Sequence, residues 1–90
     1  MVELENVVAS AIAYDGEIYS LPAPARHGDV MKHMSGLGIV DLIPPDDQGF
    51  VTSTGRFVTR QEAANLAVAA CQITETKFQP GILFSEDLWP

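Results

Sequence analysis

Cysteine is nearly absent: Cys71 is the single thiol in 90 residues. One thiol closes no internal disulfide. With only His27 and His33 besides, no Cys/His set has zinc spacing. Basic residues are scarce as well. Lys plus Arg number 5 against 12 for Asp plus Glu, a net charge of −7. Duplex nucleic acid is held mainly by phosphate neutralisation, and so few scattered cations form no basic stripe. No duplex partner is expected. Long apolar runs are missing too. The longest, near residues 7–13 and 66–71, fall far short of the ~20 residues that cross a membrane. The start, MVELENVV, has no positive charge ahead of its apolar stretch, unlike a secretory leader. A reducing cytoplasm is the expected setting, with no membrane partner. Both standard nucleotide loops, G-x-x-x-x-G-K-[ST] and G-x-G-x-x-G, are lacking, as is a G-x-S-x-G nucleophile elbow.

What is present describes one small globular domain over residues 1–90. Hydrophobic residues make up 47% and charged residues 19%, enough for a thin core. Residues 5–14 are rich in β-branched and small side chains, and 17–21 alternate. Asp15-Gly16 between them is a hairpin turn, since glycine accepts positive φ. Pro22 and Pro24 end that hairpin. Val30, Met31, Met34 and Leu37 then follow helical spacing, predicting a helix over about 24–35 with Arg26 and His27 in its first turn. Gly36 and Gly38 are the residues expected to stop it.

Pro44-Pro45-Asp46-Asp47 is a surface loop. Residues 48–58 form a second hairpin, with Gly55 in the left-handed position. Thr59-Arg60-Gln61-Glu62 is a capping box that opens a second helix over 61–73. Cys71 falls in its apolar C-terminal part and is expected to be a small buried hydrophobe. Residues 82–84 are a last strand or extended edge. The order is strand–strand–helix twice, then a tail. The fold class is α+β: a small antiparallel sheet of two hairpins plus a C-terminal edge segment, packed against two helices. Open sheet edges on so thin a core favour self-association.

Several residues are candidates for chemistry. Arg26 and Arg60 each begin a helix, where a cation is mildly disfavoured by the helix dipole. One explanation is that guanidinium and helix amides together hold a phosphate. The other is an ion pair with tail carboxylates or Glu62. Phe50 and Phe57 flank a polar turn and serve either as core anchors or as a stacking surface for a base or sugar. Glu86-Asp87 sits between Phe84 and Leu88-Trp89 and serves either general acid/base work or as acceptors that pin the tail.

Several stretches together carry a resemblance. They are Ala11-Ile12-Ala13 with Asp15-Gly16, Arg26-His27, Gln48-Gly49-Phe50, the run from Gly55 to Ala63, Gln72, and Leu83-Phe84-Ser85-Glu86-Asp87-Leu88. In this order they resemble small phage and prophage proteins, above all the Thoeris anti-defence 1 family of sponge proteins. Members of that family sequester cyclic ADP-ribose isomers made by bacterial immune enzymes. Some bind cyclic oligonucleotides. They form dimers that assemble further, and they do not cleave the ligand. The resemblance implies a non-enzymatic homo-oligomer with no cofactor, no metal and no catalytic residue, whose partner is a small cyclic nucleotide. It implies that Arg26 contacts phosphate, that Phe50 stacks on a base, and that Thr59 and Arg60 lie beside ribose or phosphates. His27, Gln72, Ser85, Glu86 and Asp87 complete the implied ligand-binding set. Two departures stand out. Pro22-Ala23-Pro24-Ala25 precedes Arg26 where a shorter glycine turn is expected, and Thr59 stands where Asn or Asp is usual. Two other functions fit the residues alone. One is an acidic inhibitor or adaptor acting on a host protein. The other is a small hydrolase using Glu86 or Asp87.

Overall fold

A computed structural model describes residues 5–89. The start read above for a leader therefore lies partly outside the described residues. Strand β1 (Val7–Tyr14) turns through Asp15 and Gly16, at φ 50° and 78°, into β2 (Glu17–Pro22). Both turn residues are left-handed, as a two-residue hairpin loop requires. Helix α1 (His27–Gly36) follows. After a loop and a single 3₁₀ turn at Pro45–Asp47 come β3 (Gln48–Thr52), β4 (Phe57–Val58), α2 (Arg60–Ala69) and a short α3 (Ser85–Leu88). Among the described residues no helix is long and apolar enough to cross a membrane.

The sheet is antiparallel throughout, in the order β2-β1-β3-β4. Each strand–strand–helix unit contributes one central and one edge strand. Register places Ser10 opposite Phe50 and Phe50 opposite Val58, so these share the face of Ile12. Both helices pack on that face. Ala63, Ala64 and Ala67 of α2 cluster with Val7, Phe50, Val58 and Leu83. Val30 and Met34 of α1 cluster with Ile12. Between the two clusters runs a polar seam of buried Ser10 and His27. Ser10 Oγ donates to the carbonyl of Ala25 at 3.0 Å.

Three local expectations change. Helix α1 starts at His27, with Arg26 as its extended cap. Ala25 N–H is turned back onto the Pro22 carbonyl, and the Asp29 carboxylate accepts from the Arg26 amide at 2.9 Å. Helix α2 stops at Ala69 because Cys71 takes φ 59°, and the Gln72 side chain is held by both backbone groups of Val7. Cys71 is therefore exposed, not buried. Residues 82–84 are extended but dock on the start of α2, through Leu83 N–H to the Arg60 carbonyl at 3.1 Å, instead of joining the sheet.

Candidate functional site

The capping box at the start of α2 is formed as its sequence dictates. Thr59 Oγ1 accepts from the Glu62 amide at 3.2 Å, and Glu62 Oε1 accepts from the Thr59 amide at 3.3 Å. This fixes the direction in which Arg60 leaves the helix. Its Nη1 donates to the Leu83 carbonyl at 2.9 Å and its Nη2 to Gln48 Oε1 at 3.0 Å. The guanidinium carbon lies 4.9 Å from the centroid of the Phe84 ring. Gln48 is itself oriented by a bond from Nε2 to the Ile43 carbonyl. Among the described residues no carboxylate lies within ion-pair distance of Arg60. Burial pushes its pKa down, against the opposing charge of Glu86. A half-buried cation satisfied only by neutral acceptors retains its attraction for an anion.

Beside it opens a pocket of about 300 Å³, lined among others by Gln48, Thr59, Arg60, Gln79, Ile82 and Phe84. The amides of Arg60 and Gln61, in the first turn of α2, have no intrahelical acceptor. A cation and an aromatic ring thus meet at one concave site beside the start of α2, a combination suited to a phosphorylated ligand with an apolar part.

Of the predicted site residues Thr59 and Arg60 line this pocket, whereas Arg26, His27, Ser85, Glu86 and Asp87 do not. Arg26 Nε donates to the Trp89 carbonyl at 2.8 Å. His27 Nε2–H donates to the Gly49 carbonyl at 2.6 Å, with its ring edge-on to Phe50. Desolvation lowers the His27 pKa to about 4; the bond to Gly49 opposes this, Arg60 adds to it, and Glu86 opposes it. His27 is therefore neutral at pH 7. The Asp87 carboxylate accepts from the backbone amides of Lys77 and Phe84, at 2.9 and 3.0 Å, and Ser85 Oγ donates to Glu86 Oε1 at 3.3 Å. Asp87 and Ser85 are buried and hold the tail.

Two predicted residues take other places. Phe50 is wholly covered in the core and presents no face to a ligand. Gln72 is bound to the backbone of β1 at 2.7–2.8 Å and does not line the pocket. The aromatic ring at the pocket is Phe84, which sequence reasoning missed along with Gln48 and Gln79. Phe84 and Gln48 stand directly beside residues already singled out, but which of two nearby aromatics faces out is decided by packing. Among the described residues no group of three His, Cys, Asp or Glu side chains is placed to hold a metal ion.

A family model described as Phage T4 y16D protein matches residues 6–89. No curated protein and no solved structure matches the chain.

Proposed function

The chain belongs to the phage T4 y16D protein family, and on that premise we propose that it is a phage sponge of the Thoeris anti-defence 1 type. It binds a small cyclic nucleotide immune signal, a cyclic ADP-ribose isomer or a cyclic oligonucleotide, and withholds it without cleaving it. It acts in the cytoplasm of the infected cell as a homo-oligomer. The observation that carries this reading is Arg60. Its guanidinium is half-buried, free of a carboxylate partner among the described residues, and fixed at the wall of a pocket with an aromatic ring beneath it. Pre-organised donors of this kind bind phosphate with little ordering cost. Sequestration then follows from affinity and stoichiometry alone.

The test is to mix the full chain with cyclic ADP-ribose, remove unbound ligand by filtration, heat the protein and identify what is released. Release of intact ligand in proportion to protein is expected. A chemically altered product makes the protein an enzyme, and no retention of any cyclic nucleotide in a panel removes the reading. A second reading, an inhibitor or adaptor acting on a host protein, is favoured by the exposed Leu37, Val40 and Leu42 between α1 and β3. It predicts that a host protein co-purifies and no nucleotide does.

A further inference from the structure

The two edges of the sheet differ. β4 has two residues and offers little to pair with, whereas β2 has six. Natural edges are blunted by lysine, by a bulge or by a covering element. β2 has no lysine or arginine, and its one charge is Glu17 at the start. Pairing with β1 runs without a register shift from Tyr14↔Glu17 to Ala9↔Pro22. In a two-residue hairpin the closing pair exchanges both backbone bonds, and bonded and non-bonded pairs then alternate. Glu17, Tyr19 and Leu21 therefore turn their amides and carbonyls toward β1. Ile18 and Ser20 turn theirs outward, and both residues are exposed. The next outward carbonyl, of Pro22, is already taken by Ala25 N–H at 3.1 Å, which marks where the free edge stops.

We infer that this free edge is the docking surface for a second copy of the chain, joined antiparallel about a two-fold axis through Tyr19. The register follows from the outward groups. Ile18 exchanges both backbone bonds with Ser20 of the second copy, and symmetry supplies the reverse pair. Charge permits the same partner. Each chain carries −7, so two copies repel least when they meet on an uncharged surface. Residues 18–21 carry no charge, and this register sets Glu17 opposite Leu21, never opposite a second Glu17. Tyr19 and Leu21 border the cluster of Ile12, Val30 and Met34. Pairing sets that cluster beside its own copy and covers Ile18, which is 48% exposed in the single chain. The inference rests on the self-association in the proposed function, but not on the ligand.

Sedimentation velocity on the full chain over a concentration series, with hydrogen exchange read amide by amide, tests it. A concentration-dependent dimer is expected. Ile18 and Ser20 amides exchange slowly in the dimer and fast on dilution, while Tyr19 and Leu21 stay slow in both. Ile18→Lys, at an exposed position, weakens association at least about tenfold by setting two cations as diagonal neighbours across the axis. A chain that stays monomeric at millimolar concentration overturns the inference. So does a dimer in which Ile18 and Ser20 exchange as fast as loop amides, a readout that stands even if the variant does not fold. Cyclic ADP-ribose retention is measured on the same samples. Retention by a monomer with a fast-exchanging edge removes the docking surface alone. Failure of a protected dimer to retain any cyclic nucleotide removes the sponge reading alone.

Discussion

His27, the first residue of α1, is tied by its Nε2–H to the carbonyl of Gly49 in a central strand, across 2.6 Å. The bond joins the two halves of the molecule and requires only a neutral ring. Burial holds the His27 pKa near 4, well below the ordinary 6.5.

The pH dependence follows from this. Above 6.5 neither folded nor unfolded chain protonates the ring appreciably. Between 6.5 and 4 the unfolded chain takes up a proton that the folded chain refuses, so stability falls as pH falls. The loss approaches on the order of 3 kcal/mol near pH 4. His27→Gln retains a donor for Gly49 and should flatten the slope in this window. Thermal unfolding of both proteins from pH 4 to 7 measures the difference.

Gly49 has a second constraint on its other side. A Cβ there would lie 2.1 Å from the Val58 carbonyl and 2.7 Å from Phe57 Cζ. The first is backbone and cannot swing away. Gly49→Ala should force β3 and β4 apart and cost about 3 kcal/mol, the upper end of overpacking penalties. Denaturant unfolding of the variant checks this, and a loss under about 1 kcal/mol would show that the strands yield easily.

Much of the fold was legible because its signals are local. Asp15-Gly16, Gly55 and the Thr59/Glu62 box each act within a few residues, and each stands where its chemistry requires. The misplacements arose where distant chain decides. Alanine-rich periodicity continues past residue 69, and nothing nearby announces that Gln72 will be claimed by Val7, 65 residues away. The arginines looked anomalous against the helix dipole. Their guanidinium groups are satisfied instead by carbonyls of Leu83 and Trp89, separated from them by 23 and 63 residues. Phe50 and Phe84 are equally apolar in sequence, and only packing buries one and leaves the other at the pocket.

Cys71 gives a stability prediction of opposite sign. Its φ of 59° is the left-handed conformation that ends a helix, and a side chain there is strained. The thiol is exposed. Cys71→Gly should raise stability by about 0.5–1 kcal/mol, net of the entropy glycine adds to the unfolded chain. The native thiol should also react with a thiol reagent without denaturant. Slow reaction, released only on unfolding, would contradict this placement.

Glu5 tests the clamp on the second hairpin. Its carboxylate accepts from Arg56 Nε and Nη2 at 2.7 and 2.8 Å and from the hydroxyls of Thr52 and Thr54. These bonds, led by Arg56, hold its pKa at about 2, below the ordinary 4.5. The contribution is present above 4.5 and is lost as pH falls toward 2. A carboxyl titration by NMR should place Glu5 near 2 in the native chain and return it most of the way to the ordinary range in Arg56→Ala. An unchanged midpoint in the variant would assign the shift to the threonines.

Arg60 separates ligand binding from folding. Its two hydrogen bonds go to neutral acceptors, so Arg60→Ala leaves no buried charge unpaired and should cost the fold no more than about 2 kcal/mol. Against cyclic ADP-ribose the same change should weaken binding about a hundredfold, the scale of charge-assisted phosphate bonds. Arg60→Lys keeps the charge but loses the planar fork whose separate nitrogens reach Leu83 and Gln48, so it should recover only part of the loss. Phe84→Leu keeps apolar volume but removes the ring under the guanidinium, and should weaken binding about tenfold. Calorimetric titration of the three variants, each first shown to unfold cooperatively, reads these ratios. If Arg60→Ala binds as tightly as the native chain, the pocket beside α2 is not where the ligand sits.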